Sequence, residues 1–166
     1  MKLQNAISHG LVLAFFVFIF SSLAAKAESI NTKSQLSIGG MYGSNLGAVA
    51  TYNYNSKIFV DAAGSMEFDG DQNVFAWGDI LVRQGRLFGV MGNSVNWYWG
   101  GGVKFRSEND PNVEQAYYLG PRGAIGLSSQ IGRNPIEVFT EASYSYYLVE
   151  ASDTEMDINI GARYYF

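Results

Sequence analysis

Nine charged side chains sit in stretches that are otherwise apolar or small, and any chemistry of this chain must draw on them. They are Asp61, Glu67, Asp79, Lys104, Arg106, Arg122, Glu141, Asp157 and Arg163. Paired carboxylates can serve as acid and base, and mixed charges can form a selectivity ring or a network of ion pairs. Nucleophilic and metal chemistry lack their usual residues. The single His, His9, lies near the N-terminus, and there is no Cys. Beyond residue 27 this excludes a Ser–His pair, a thiolate nucleophile and the usual zinc ligand sets. Asp69-Gly70-Asp71-Gln72-Asn73 repeats oxygen side chains at alternate positions, but Val74 and Ile80 stand where an EF-hand loop needs Gly and Glu. It reads as a hairpin tip. Gly100-Gly101-Gly102 follows Trp97 and Trp99 with no helix start after it, so it reads as a relief of sheet curvature rather than a phosphate cradle. No catalytic, metal or cofactor site is expected.

The charges are positioned by a two-residue period. Eight alternating segments are expected as strands: Ser34–Tyr42, Leu46–Tyr54, Lys57–Phe68, Asn73–Val82, Val95–Arg106, Arg122–Ile131, Ile136–Leu148 and Asp157–Phe166. Turn residues fill most of the links, as in Gly43-Ser44-Asn45, Asn55-Ser56, Asp69–Gln72 and Gly132-Arg133-Asn134-Pro135. Ala151–Met156 is short and polar, while Arg83–Ser94 and Ser107–Pro121 are longer. Within each strand the charges keep one parity. Lys57, Asp61 and Glu67 share a face, as do Lys104 and Arg106, Glu137 and Glu141, and Asp157 and Arg163. The other face is oily throughout, for example Ile136, Val138, Tyr144 and Leu148. No amphipathic helical pattern occurs after residue 28. The 19 Gly, 11 Tyr and 11 Phe suit short-linked strands, and the chain is all-β.

The first residues read differently. Lys2, the apolar run Leu11–Phe20 and the Ala25-x-Ala27 site form the pattern of a cleaved secretory signal peptide, residues 1–27. Residues 28–166 then form one domain. Without Lys2 and Lys26, nine of the 11 basic residues remain against 15 acidic ones, so nucleic acid is not an expected partner.

A closed two-faced sheet has two solutions, with the oily face inside a soluble barrel or outside a membrane-spanning one. Three features select the second. The polar face is mostly Ser, Asn, Gly, Ala and Tyr with a few charges of both signs, which suits a narrow packed lumen. Aromatics of the oily face collect at strand ends, with Tyr42, Phe68 and Phe105 at one rim and Tyr54, Trp97, Tyr164 and Phe166 at the other. Segments near ten residues match a tilted crossing of ~9–11 residues. The expected fold is an eight-stranded antiparallel up-and-down transmembrane β-barrel, its termini in the periplasm. Asp61, Asp79, Glu141 and Arg163 would lie in the periplasmic half of the lumen. Glu67, Lys104, Arg106, Arg122 and Asp157 would lie in the outer half.

The last strand carries a further signal. Ile158, Ile160, Ala162, Tyr164 and the terminal Phe166 alternate to the end of the chain. This run resembles the C-terminal targeting signal of bacterial outer-membrane proteins, and with the leader and eight segments the chain resembles the small OmpA/OmpX-type barrels. The resemblance implies recognition by the barrel-assembly machinery and residence in outer-membrane lipid as a monomer. Segments such as GPRGAIGL and NPIEVFTEASYSYYLV also resemble small barrel families from which no activity follows. The functional expectation is a non-enzymatic structural or surface-interaction barrel whose lumen charges pair, with loop 107–121 as the contact region for an external ligand. One alternative is a narrow channel through the charged lumen. Another is a secreted, lipocalin-like barrel with Trp97 and Trp99 lining an apolar cavity. Arg83–Ser94 is long for a periplasmic turn, which implies a misplaced fourth strand or extra structure there.

Overall fold

Strands that alternate apolar with small or polar residues must pair on both sides before either face can be settled. In the computed structural model they do so in a ring. The structure describes residues 35–44, 46–66, 73–90, 93–108, 116–132, 134–149 and 153–166. The expected leader 1–27, Glu67, Phe68, the expected hairpin tip Asp69–Gln72 and the centre of the expected 107–121 loop lie outside the described residues. The strands are β1 (Leu36–Gly43), β2 (Leu46–Asn53), β3 (Ile58–Met66), β4 (Val74–Val90), β5 (Asn93–Glu108), β6 (Ala116–Gln130), β7 (Ile136–Tyr147) and β8 (Asp153–Tyr165). Each pairs antiparallel with its chain neighbours, and β1 pairs with β8, closing an up-and-down barrel.

The seam explains the alternating end of the chain. β8 runs against β1 from Ser37↔Tyr165 to Gly43↔Asn159. The Phe166 amide continues the ladder to the Leu36 carbonyl at 3.0 Å, and the Ser44 amide does the same at the other end, to the Ile158 carbonyl, also 3.0 Å. Closure satisfies the row of backbone groups that an edge strand would otherwise present. Between β2 and β3 the Asn55 side-chain oxygen accepts from the Lys57 and Ile58 amides at 2.8 Å each, a side chain standing in for a turn carbonyl.

The two faces are inverted relative to a water-soluble barrel. The alternation places Phe59, Asp61 and Ser65 of β3 inside, and Val60 and Met66 outside. On β8, Asp157 and Arg163 are buried at 2% and 1% exposure, while Ile158 and Ile160 are 57% and 62% exposed. Trp97 and Trp99 are on the outward face of β5, so they do not line an internal cavity as the lipocalin-like alternative requires.

Three expected links are instead partly strand. Arg83–Ser94, expected as a twelve-residue link, is the extended end of a long β4–β5 hairpin. Its register slips twice, between Arg83 and Gly85 and between Arg86 and Phe88. Gly85 has φ 98°, a left-handed conformation open to Gly at no steric cost. The alternation of buried and outward residues runs on through Arg83 and Gly85 and is lost from Arg86, where four residues in a row, to Gly89, are exposed. β3 stops opposite Arg83, whose amide donates to the Lys57 carbonyl at 2.7 Å, and beyond it β4 pairs with β5 only. Similarly, β6 begins at Ala116 rather than Arg122, because Gly120-Pro121 looks like a turn but pairs with Lys104 and Val103. β8 begins at Asp153, where polar residues face the loop end rather than a turn.

Large and small residues alternate in the lumen, as a narrow barrel requires. Tyr98 lies over Gly126, and Phe139 lies over Gly161. Gly100 and Gly102 point inward, and a Cβ on either would run into the β4 backbone, so the glycine triplet lets β4 and β5 close tightly. Gly126→Ala is expected to cost about 1–3 kcal/mol, because its methyl would overlap the Tyr98 ring in a filled interior. The urea midpoint of the refolded barrel measures this, and an unchanged midpoint would show that both the Tyr98 ring and the Thr140 carbonyl, which the methyl would also crowd, give way freely.

Candidate functional site: the charged lumen

The inward rows of the eight strands meet on the barrel axis, and five cations organise what they carry. Arg163 of β8, near the end that holds the C-terminus, is the most enclosed. Its Nε donates to Glu137 at 2.8 Å, and one terminal nitrogen donates to Thr51 at 2.7 Å and Asp61 at 3.1 Å. Phe59 and Phe139 rings sit beside the guanidinium, 5.3 and 5.2 Å from its centre. The Tyr165 hydroxyl adds a 2.5 Å hydrogen bond to Glu137, and Arg83 donates to that hydroxyl at 3.4 Å while stacking on Phe59 at 4.1 Å. One side chain thus ties β8 to its neighbour β7 and, across the lumen, to β2 and β3, which do not pair with it.

Midway along the barrel, Arg122 of β6 pairs with Asp79 of β4 and donates to Glu141 of β7 at 2.8 Å. Tyr98 of β5 donates to the other Glu141 oxygen at 3.1 Å. Toward the loop end, Lys104 holds Asp157 at 2.7 Å and Glu155 at 2.9 Å, and the Ser143 hydroxyl donates to Asp157 at 3.3 Å. Phe75 and Trp77 rings flank the ammonium at 4.8 and 5.7 Å. At the mouth, Arg106 bonds Glu108 at 3.0 Å and Asp153 at 3.1 Å, and lies between the Tyr118 and Tyr147 rings at 4.2 and 4.7 Å. The Tyr147 hydroxyl donates to Glu155 at 2.5 Å.

Charges taken from water lose several kcal/mol of hydration each, and recover it only through close partners and further hydrogen bonds. Every acidic residue of these tiers faces a cation, and aromatic faces fill the remaining sides of the cations. Two apolar clusters complete the plug, Met41, Val49, Phe75, Trp77 and Phe139 in one, and Phe59, Leu81, Tyr98 and Ala124 in the other. Chemically the arrangement is a stack of neutralised pairs. Its carboxylates are held by cations rather than poised over an open cleft.

Of the nine charges singled out in the sequence, eight are described, and all eight point into the lumen. Arg122, expected with the outer group, instead meets Asp79 and Glu141 of the inner group, because the register of β6 sets its long side chain at mid-depth. Sequence reasoning left Arg83, Glu137, Asp153 and Glu155 out of the network, with the hydroxyls of Tyr98, Tyr147 and Tyr165, and gave Glu108 to the external-contact loop rather than to Arg106. Glu155 and the three tyrosines share the parity of charges already recognised on their strands, which was a usable signal. Arg83 was hidden by the assumed link.

On the outside, Tyr42, Tyr54, Tyr164 and Phe166 are exposed, and Trp97 and Phe105 are half-buried on the same face. Phe105 stacks on Tyr117 at 6.0 Å between centroids near the loop end, and Tyr164 meets Phe166 edge-on at 5.4 Å near the other end. Ile158, Ile160, Ala162, Tyr164 and Phe166 form one outward row on the closing strand.

No protein-family model matches the chain, and no curated protein matches it. Solved structures do. The N-terminal β-barrel domain of Pseudomonas aeruginosa OprF is similar with a TM-score of 0.62 at 14% identity, covering 79% of this chain and 95% of that domain. Neisserial surface protein A (NspA) is similar with a TM-score of 0.50 at 14% identity, covering 79% of this chain and 94% of that one. At such identity the likeness concerns the fold. The chain has the fold of the small eight-stranded outer-membrane β-barrels.

Proposed function

We propose that this protein is a non-enzymatic integral barrel of the bacterial outer membrane, with a structural or surface-interaction role and a lumen closed by its own ion pairs. The observation that carries this reading is the inverted distribution of side chains. Arg163, Lys104 and Arg122 are buried on the axis, while Ile160, Ile158 and Ile125 cover the outside. Hydrocarbon is the solvent in which that arrangement lowers the free energy. The end with the C-terminus would then face the periplasm, and the outward Tyr164, Phe166, Tyr54 and Trp97 would form the inner aromatic girdle, with Tyr42, Phe105 and Tyr117 in the outer one. Phe166 and the outward residues of β8 would carry the assembly signal. The mouth around Arg106, with the 107–121 loop above it, is the region placed to touch something outside the cell.

The reading is tested by isolating membranes from expressing cells, washing them with carbonate, and running the outer-membrane fraction on gels with and without boiling. A band in that fraction that migrates faster unboiled is expected. Recovery from the periplasm with a single mobility would overturn the reading. The charged lumen also motivates the channel alternative, and planar bilayer recordings separate the two. A plug of paired charges predicts no open-channel steps from the wild type, and none after Lys104→Met and Asp157→Leu are combined. Regular conductance steps in the wild type, altered by that double change, would instead make it a channel.

A further inference from the structure

Outside the lumen, one feature of the barrel surface is unlike the rest. On β6 and β7 two small outward residues, Gly123 and Ala142, stand beside Ile125, which pairs with Trp99 on one side and Ala142 on the other. Around this floor of near-bare backbone stand Trp97, Trp99, Tyr144 and Met156, enclosing a groove of about 410 Å³. Both tryptophans are only half-exposed although they point outward. No charged side chain lines the groove, and the hydroxyl of its Ser143 is turned inward to Asp157.

We propose that this groove is a binding site for a single hydrocarbon chain of a membrane lipid, held in register rather than exchanging freely with the bulk. The inference rests on the membrane reading above. Three properties select the occupant. An uncharged, apolar lining offers nothing to a polar ligand. At ~30 Å³ for a water-sized group, and a methylene is of similar size, the volume holds about fourteen such groups, the bulk of one acyl chain. Ten residues line the groove, well below the ~20–30 per side of a stable protein interface, so a second copy of the chain is a poor fit. Ordinary lipid-facing surface has side chains that stand out and shed their neighbours. Here a chain can lie against glycine backbone with tryptophan and tyrosine rings at its sides, gaining dispersion contacts on several sides at once.

The groove supplies its own reporters. In a Trp77→Phe background, emission comes from Trp97 and Trp99 alone. The refolded barrel in dodecyl maltoside micelles is titrated with a phosphatidylethanolamine whose acyl chains carry bromine, a contact quencher. A bound chain predicts quenching that saturates at one lipid per barrel. Ala142→Phe and Ala142→Leu fill the floor and should weaken the saturable phase at least tenfold. Quenching that rises in proportion to lipid mole fraction, equally in all variants, would overturn the site and leave only general lipid contact. Covalent cross-linking of two barrels through this face would overturn it in favour of a second copy. Gel mobility of the same samples separates the two levels of inference. A heat-modifiable barrel without saturable quenching defeats the groove alone, whereas unchanged mobility with no bromine quenching at all defeats the membrane reading and the groove with it.

Discussion

Arg163→Ala is expected to destabilise the folded barrel by about 3–5 kcal/mol, the loss typical when one partner of a buried ion pair is removed. The arginine is the only cation within 4 Å of Asp61 and Glu137 among the described ion pairs, so its removal leaves Asp61 without a close counter-charge and Glu137 with only Arg83, which reaches it through the Tyr165 hydroxyl. Each must then stay ionised in a poor solvent or take up a proton, and both cost free energy. The same change releases the Thr51 hydroxyl and opens space between the Phe59 and Phe139 rings. Arg163→Lys should recover part of the loss. An ammonium restores the charge but cannot reach Glu137 and Asp61 from two separate nitrogens of a planar fork. Combining Arg163→Met with Asp61→Asn should be milder than Arg163→Ala alone, because the one carboxylate that remains, Glu137, still faces Arg83 through the Tyr165 hydroxyl. Urea unfolding in lipid vesicles, followed by the gel mobility of folded and unfolded forms, measures all three. If Arg163→Ala falls within 1 kcal/mol of the wild type, water enters the lumen freely and the plug does not exist.

Ile160→Arg addresses the other face. Ile160 is 62% exposed and sits in the middle of β8, outward, opposite Thr140 of β7. On a soluble protein an exposed Ile→Arg change stays within about ±0.5 kcal/mol. On a lipid-facing strand near the bilayer midplane it should cost about 2–4 kcal/mol. Exposure and tolerance therefore part company, which makes the substitution a direct measure of the surrounding solvent. The same unfolding assay applies, with Ser44→Arg at the loop end as a comparison that should be nearly neutral by burial. The Ser44 hydroxyl accepts from the Ile158 amide at 3.0 Å, and losing that bond sets the cost there at about 0.5–1.5 kcal/mol. Equal small effects at both positions would place the oily face in water.

These two substitutions probe opposite faces of one strand, and it was the faces that the sequence made legible. Asp157 and Arg163 share one parity while Ile158, Ile160 and Tyr164 share the other, and no contact needs to be known to see it. The same holds for Lys104 and Arg106 against Trp97, Trp99 and Val103. The period survives because each strand meets one environment inside and another outside along its length. Where local geometry slips, the pattern is lost. From Arg86 to Gly89 every residue is exposed, and with the polar run that precedes them this reads as a link, which hid the strand end that carries Arg83 into the lumen in phase with Asp79 and Leu81.

By itself, then, the sequence determined the all-β class, the strand number, the phase of each strand and which side chains are inward. It did so because those properties are local, repeating every second residue. Only the tertiary structure decided the partners. Lys104 of β5 finds Asp157 of β8, Arg122 of β6 finds Asp79 of β4, and Arg163 of β8 reaches Asp61 of β3, all between strands that are not adjacent. Those meetings depend on closing the sheet and on the stagger of eight registers at once, since a one-residue shift at any seam turns a charge from the axis to the outside.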